Sequence, residues 1–234
     1  MQYKDPYIEL CIEGPSSFFR VLSQNDKELL DHNHSVSTYR KGNIIIAGGT
    51  RQRALVCLVS GKAKIFSTGA GNREQIIKMI SPQSFINYRS IFSEAAYPFS
   101  VGAIEDSATV SFEKHLLSRI LKQNAELAVK VIKVISEDLV YSYNRIVSLT
   151  QKHVRGRLAE SILLLGDTYG LEADGMTIRV QLSREDIAHL SNMTTSNAIR
   201  TLSNLASEKI IEIKGRKIGI LNFQKLEEIS ESGQ

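Results

Sequence analysis

The stretch from Leu182 to Leu221 constrains the fold more than any other part of the chain. It reads LSREDIAHLSNMTTSNAIRTLSNLASEKIIEIKGRKIGIL, which parses as helix, short turn, helix and a small basic hairpin. A rigid helix pair is one way for a compact domain to set a helix end in the DNA major groove. In the first helix Ser183 is placed as N-cap. Asp186, three residues on, can reach back to it and adds negative charge at the positive helix end. Ile187, Ala188 and Leu190 supply the apolar face. Asn192-Met193 makes the turn, and Thr194 caps the second helix. Ala198, Ile199, Leu202 and Leu205 recur at helical spacing and are expected to face the core.

The other face of the second helix carries Thr195, Ser196, Asn197, Arg200 and Ser203. Short polar groups and one long cation near a helix N-terminus can hydrogen-bond base edges and phosphates. No acid precedes Glu208 in this helix, so nothing there repels a phosphate backbone. Ile210, Ile211 and Ile213, then Lys214-Gly215-Arg216-Lys217, then Ile218, Ile220 and Leu221 read as a hairpin with a cationic tip. Such a tip suits nonspecific phosphate contact. Each piece has a bland reading as a capped surface helix, a solvated face or a charged turn. Their order in one segment favours DNA. Thr195, Ser196, Asn197 and Arg200 are assigned to base edges. Thr194, Arg184, Lys214, Arg216 and Lys217 are assigned to phosphates.

Net charge is a weaker guide. The chain is +4 overall. Residues 153–234 carry ten Lys/Arg against eleven Asp/Glu, and residues 1–152 carry nineteen against fourteen. Only from His189 to Lys225 do six cations outnumber two acids. The expectation of DNA binding therefore rests on that local patch and not on the isoelectric point.

Between Val36 and Phe112 short runs rich in Val, Ile, Phe and Thr alternate with Gly- or Ser-containing breaks, among them Gly48-Gly49, Ser60-Gly61 and Ser81-Pro82-Gln83-Ser84. Many short strands at close spacing predict a sandwich or roll. A long helix follows, with neither Gly nor Pro from Asn124 to His153. Ala128, Ile132, Ile135, Leu139, Ser142, Ile146 and Leu149 step by four and three residues and are expected to form a dimer seam. Leu127, Val131 and Val134 form a second strip expected to face the β-roll. After it, Leu158, Ile162, Leu163 and Leu165 give a further helix its core face. Thr177 to Gln181 reads as a short strand after an Asp174-Gly175 turn.

Taken together, these residues resemble the Crp/Fnr superfamily of bacterial transcription regulators. The C-terminal segment resembles its winged helix-turn-helix. Upstream, Tyr39 to Gly49, Leu58 to Ile65 and Gln75 to Ile86 resemble successive segments of its β-roll. The resemblance covers about Phe18 to Phe223, and the order and spacing of the motifs carry it. It implies an α+β chain in three parts. These are a double-stranded β-helix or jelly-roll domain of the cyclic-nucleotide-binding kind over 1–123, a dimerisation helix over 124–152, and a winged helix-turn-helix domain over 153–234. It also implies a homodimer that reads a roughly palindromic DNA site, with half-sites about one helical turn apart.

Relatives that bind cyclic AMP hold it with a Gly-Glu pair and a downstream Arg-Ser. The matching effector segment here is Ile86, Asn87, Tyr88 and Arg89, with Phe99 and Ser100 downstream. Asn87 stands for the Gly, Tyr88 for the Glu and Phe99 for the Arg; Ser100 alone matches. The ribose acceptor and the phosphate cation are both gone, so cyclic AMP is not expected. An apolar ligand or a collapsed pocket fits the residues better, and no cofactor is predicted. An iron–sulfur cluster needs four thiolates or close substitutes, and the chain has Cys11 and Cys57 alone. Cys57, in Ala54-Leu55-Val56-Cys57-Leu58-Val59, reads as a small buried hydrophobe. Cys11 lies near the N-terminus, which leaves exposure open to it. Nothing in the five histidines argues for haem.

Three other classes compete. A cyclic-nucleotide-responsive regulator could use a non-standard phosphate pocket, with Arg89 substituting from one residue away. A cupin-type metal enzyme could use His32-Asn33-His34. However, the next acid is Glu74 and the next histidine His115, and Asp31 to Ser35 reads as a polar turn. A dimeric sensor acting by protein contact alone is opposed by the polar helix face and basic hairpin. No Gly-x-Ser-x-Gly and no P-loop is present, and an enzyme is not expected. The apolar runs fall far short of about 20 residues. Two isolated cysteines suit a reducing cytoplasm, which is the expected location. Activation of transcription would add RNA polymerase as a partner, on a surface the sequence does not locate.

Overall fold

A computed structural model of the chain describes residues 3, 5–69, 71 and 73–232. It divides into two compact units, Met1–Ser67 with Ile80–Val140 and Thr68–Met79 with Tyr141–Gln234.

The first unit begins with helices that the sequence reading left unassigned. They are α1 (Pro6–Glu13), a 3-10 turn (Phe18–Val21) and α2 (Gln24–His32). Proline at the start of α1 is tolerated because its missing N–H would be unpaired there, and Asp5 caps the helix by accepting from the Tyr7 amide. Eight strands follow along the chain: β1 (Ser35–Tyr39), β2 (Ile44–Ile46), β3 (Ala54–Ser60), β4 (Ala63–Thr68), β5 (Glu74–Ile80, almost wholly in the segment 68–79 of the second unit), β6 (Ser84–Phe85), β7 (Ser100–Ala103) and β8 (Ser107–Glu113). They form two four-stranded sheets, ordered β1-β8-β3-β6 and β2-β7-β4-β5. β8 pairs antiparallel with β1 and β3, β3 with β6, and β7 with β2 and β4. This is the predicted roll. Gly61 shows how tightly its turns are set. Its φ is +80°, and a Cβ there would lie 2.3 Å from the Ser107 hydroxyl.

β3 buries one face fully, and its other face is half-covered, with Leu58 buried and Val56 half-buried. Leu55, Cys57 and Val59 face one way, into a core shared with Ala108, Val110 and Phe112 of β8. The helices cover that side with Ile8 and Ile12 of α1, Leu30 of α2, and Leu116, Leu117 and Ile120 of α3 (Lys114–Gln123). Phe18, Phe19, Phe85 and Phe112 form its aromatic centre, with ring centroids 4.0–5.3 Å apart. Truncating a buried Phe of this kind to Ala costs about 3–5 kcal/mol. Cys11 belongs to the same core at 1% exposure. The exposure left open by its position is thus closed by docking of α1. His32 and His34 both meet backbone carbonyls, of Glu28 and Asp31. The expected polar turn at 31–35 centres on Asn33 and His34, which link the end of α2 at His32 to the start of β1 at Ser35.

The long helix α4 spans Ala125–Gln151. Leu127 and Val131 enter the core of the first unit, and Val134 packs against it, as the sequence predicted for that strip. Ile135, expected at the seam, packs there too. Ala128, Ser142 and Leu149 are half-buried, whereas Ile132, Leu139 and Ile146 stand exposed. The column exposed beside those three is Val129, Ser136, Tyr143 and Thr150. Val140 and Val147 are exposed on the same side, so the exposed stripe of α4 is offset from the residues expected at the seam. Leu127, Val131 and Ile135, spaced by four, set which side of the helix is taken up by its own core.

The second unit contains α5 (Val154–Tyr169), α6 (Arg184–Leu190), α7 (Thr195–Ser207), β9 (Ile211–Lys214), β10 (Lys217–Ile220) and α8 (Phe223–Ser232). α5 packs on α8, and α6 packs on α7. Thr177 and Ile178 form only isolated bridges, to Gly219 and Leu171, in place of the expected strand over 177–181. The chain segment over 68–79 contributes an arm to this unit; Ala70 and Asn72 of that arm lie outside the described residues. Among the described residues no helix is long and apolar enough to cross a membrane.

Candidate nucleic-acid interface

α6 starts as predicted. The Ser183 hydroxyl oxygen accepts from the Asp186 amide at 2.9 Å, and Ser183 Oγ lies 2.7 Å from the Asp186 carboxylate. α7 is capped by Thr194, which accepts from the Asn197 amide at 3.3 Å. Between the helices Asn192 takes φ +50°, a left-handed conformation that Asn tolerates better than most residues. Met193 then turns inward, with its amide donating to Ala188.

The turn is held in a way the sequence reading missed. Four consecutive carbonyls, 189 to 192, accept from side chains. Gln75 Nε2 donates to His189 at 2.7 Å, and Arg145 Nη2 to Leu190 at 2.7 Å. Arg157 donates through Nε to Ser191 at 3.0 Å and through Nη2 to Asn192 at 3.2 Å. Arg73 donates to the Asn192 side chain at 3.1 Å. The buried hydroxyls of Ser161 and Ser191 meet at 2.9 Å. Carbonyls at a helix end lack partners inside the helix, and here cationic or amide side chains supply them. Arg145 is one of several charged residues on α4, so its burial, at 7% exposure, is a product of the fold and carries no signal in the sequence.

This framework presents the predicted residues outward together. Thr194, Thr195, Ser196 and Arg200 are exposed and Asn197 is half-buried. Ala198, Leu202 and Leu205 are buried as expected. Ile199 is not; at 48% exposure it shares the outer face with Arg200. Helical spacing predicts a core position for Ile199, but the buried stripe is narrower and runs through Ala198, Leu202 and Leu205 alone. The far end of α7 is tied to α5 by a two-pronged pair, Arg155 to Glu208, at 2.7 and 2.5 Å. That pair raises the arginine pKa and holds the Glu208 carboxyl below its ordinary value.

The hairpin forms over β9 and β10 with Gly215 at φ +62° in its two-residue loop, the position where such loops take glycine. Lys214, Arg216 and Lys217 are exposed at its tip. Lys214 is within 2.9 Å of Glu212. Arg184 differs from the other expected phosphate contacts. It is half-buried, and Nη2 donates to the Gly215 carbonyl at 2.8 Å, bracing the hairpin tip against α6.

The expected effector residues lie in the first unit, and their polar groups are engaged there. Asn87 is fully buried. Its Oδ1 accepts from the Val56 amide and its Nδ2 donates to the Ala54 carbonyl, both at 2.8 Å. The Tyr88 hydroxyl donates to the Asp138 carboxylate on α4, and Arg89 Nη2 meets the same oxygen at 2.8 Å. Burial, then the carboxylate, pushes the Tyr88 pKa up. Phe99 packs edge-on against Tyr97 at 5.9 Å, and Ser100 Oγ accepts from the Gly48 amide at 3.1 Å. Ile86 is buried. Asn87 and Tyr88 thus bring no carboxylate to this segment, and the Arg89 guanidinium is paired with Asp138.

Residues 156–229 match a Crp-like helix-turn-helix domain, and residues 36–124 match a cyclic nucleotide-binding domain. A CRP-like cAMP-activated global transcriptional regulator of Mycobacterium tuberculosis is 23% identical over 189 residues, 80% of this chain and 84% of that protein. An anaerobic regulatory protein of Bacillus subtilis is 24% identical over 198 residues, 82% of each chain. Among solved structures, FixK2 of Bradyrhizobium japonicum has the same fold with a TM-score of 0.74 at 21% identity, over 83% of this chain and 96% of that one. A mutant of CooA from Carboxydothermus hydrogenoformans gives 0.72 at 18% identity over 98% of both chains. Two domain matches in this order, together with relatives that are transcription regulators along most of their length, identify the chain as a transcription regulator of the Crp/Fnr superfamily.

Proposed function

We propose that two copies of the chain pair through the exposed stripe of α4 and read a two-fold symmetric DNA site with their α7 helices. The observation that carries this reading is the outer face of α7. Thr195, Ser196 and Arg200 are exposed at the end of a helix whose preceding turn is fixed by Gln75, Arg145 and Arg157. A rigid mount is what direct readout of base edges needs. Thr195, Ser196, Asn197 and Arg200 then meet bases, while Thr194, Lys214, Arg216 and Lys217 meet phosphates. Arg184 serves by holding the hairpin tip.

The stripe supports pairing because Val129, Ile132, Ser136, Leu139, Tyr143, Ile146 and Thr150 step by three and four residues, the spacing of a coiled-coil seam. In this reading the chain is organised as a roll over 1–123, a dimer helix over 124–152 and a DNA-binding domain over 153–234, and it works in a reducing cytoplasm. It is a regulator and not an enzyme. Its signal is not cyclic AMP, since Asn87, Tyr88 and Arg89 spend their polar groups within the protein. Where it activates, RNA polymerase is a further partner.

The test is selection of DNA sites from a random pool by the purified protein, without ligand and with cyclic AMP. Enrichment of the same two-fold symmetric site in both conditions is expected. A site that emerges only with cyclic AMP overturns the assignment of Asn87, Tyr88 and Arg89. Enrichment of an asymmetric single site overturns the pairing.

A further inference from the structure

The outer face of α7 is polar with one exception. Thr195, Ser196, Arg200 and Ser203 are exposed there, and so is Ile199, at 48%. The other large apolar side chains of the helix, Leu202 and Leu205, are buried. Residues three and four positions apart are neighbours on a helix surface. On the exposed side of Ile199 these are Thr195, Ser196 and Ser203, all short and polar. The outer face therefore offers Ile199 no apolar neighbour to pack on.

Helix stability gives no reason for an isoleucine here. A β-branched side chain forms helix less readily than Ala. The Ser203 hydroxyl donates to the Ile199 carbonyl at 3.0 Å, and that bond needs only the backbone of residue 199. A branched apolar side chain is thus left in water, where covering it would be favourable. Its place narrows what covers it. Ile199 is the fifth residue of α7 and adjoins Arg200. The first turns of a recognition helix are the part set against base edges. The wall of the major groove presents hydrogen-bonding groups at every base pair and one apolar group, the C5-methyl of thymine. The Ile199 side chain has nothing to donate or accept, so the methyl group is the feature it fits.

We propose that Ile199 is a specificity-determining residue that reads thymine, packing on the C5-methyl group of one thymine in each half-site. The proposal rests on α7 as the base-reading helix and goes further by naming a base. It gives the helix an apolar reading group beside the hydrogen-bonding groups of Arg200. One methyl group covered in this way contributes about fourfold in affinity per half-site.

The test uses the full chain and the site it selects from a random DNA pool. Each thymine of that site is replaced in turn, in both half-sites, by deoxyuridine, which pairs alike and lacks only the methyl group. The wild-type chain should lose about fourfold per half-site at one thymine. Ile199→Ala is an exposed change to a better helix former. It should bind the thymine and deoxyuridine forms of that position equally and respond as the wild type does at every other position. A wild-type chain indifferent to deoxyuridine everywhere overturns the proposal. So does a penalty of the same size in Ile199→Ala, which assigns the methyl group to another side chain such as Thr195. Both of these results leave α7 as the base-reading helix, because a site was selected. Failure to select any site removes that role from α7, and the proposal falls with it.

Discussion

Arg157 is joined to Asn192 across the helix-turn-helix, donating through Nη2 to the asparagine carbonyl at 3.2 Å. The same guanidinium reaches Ser191 through Nε at 3.0 Å and Lys152, just past the end of α4, through Nη1 at 2.9 Å. One side chain thus sets the turn relative to the chain that enters α5. Hydrogen bonds from a charged donor contribute about 1.5–3 kcal/mol where water is excluded. Arg157 is only half-buried, so water replaces part of what is lost. Arg157→Ala should therefore destabilise the second unit by about 2–3 kcal/mol in urea unfolding, and Arg157→Lys should recover part of it. Unchanged stability would mean that Met193 packing and the Ser161–Ser191 bond suffice to hold the turn.

Arg200 and Lys217 separate base reading from phosphate contact. Arg200→Ala should weaken the selected site by about 1–3 kcal/mol and leave random DNA nearly unaffected. Lys217→Ala should weaken all sequences alike and reduce the slope of log affinity against log salt by about 1. Titrations of both variants on both DNAs at several salt concentrations decide it. A sequence-selective loss with Lys217→Ala would move that lysine to a base edge.

Ile132 and Ile135 are neighbours on α4 with opposite surroundings. Ile132 is 61% exposed, whereas Ile135 packs on the core of the first unit. Ile132→Asp should give a folded chain that sediments as a monomer. Ile135→Asp should lower stability by roughly 2–5 kcal/mol, the range for losing a large aliphatic from a core, before it affects pairing. Dimers persisting in Ile132→Asp at micromolar concentration would remove the stripe as the pairing surface.

The same pair shows how far the sequence could be read. Periodicity revealed that α4 had two apolar sides, and Leu127, Val131 and Val134 were placed correctly. Which side stays exposed depends on the angle at which the helix meets its own core, and that angle turned Ile135 onto the core and left Ser136 and Tyr143 outside. Local chemistry was more legible. The caps at Ser183 and Thr194 and the Gly215 loop depend on residues within three positions of each other. The turn clamp was not visible, because Gln75, Arg145 and Arg157 meet residues 189–192 from distant parts of the chain. The burial of Cys11 was hidden for the same reason. Only the fold places α1 on β3.

Asp174 provides a pH test of the ground beneath the hairpin. Its Oδ1 accepts from the Met176 and Thr177 amides at 2.9 and 2.8 Å, and its Oδ2 from the Thr177 hydroxyl at 2.6 Å. The Thr177 hydroxyl, then the backbone amides, lower the carboxyl pKa from 3.8 to about 2. The charged form is the one these donors favour, so the folded pKa lies below the unfolded one. The contribution is therefore fully present above about pH 3.8 and is lost as pH falls toward about 2. Thr177 bridges to Gly219 of β10, so loosening of this turn should reach the hairpin. A carboxyl NMR titration should give about 2 for Asp174. Asp174→Asn, which still accepts hydrogen bonds but does not titrate, should flatten the fall in stability over that interval. A titration midpoint near 3.8, the ordinary value, would show that the turn does not hold its carboxylate in solution, and the hairpin would then have to be positioned by Arg184 and its own strand pairing.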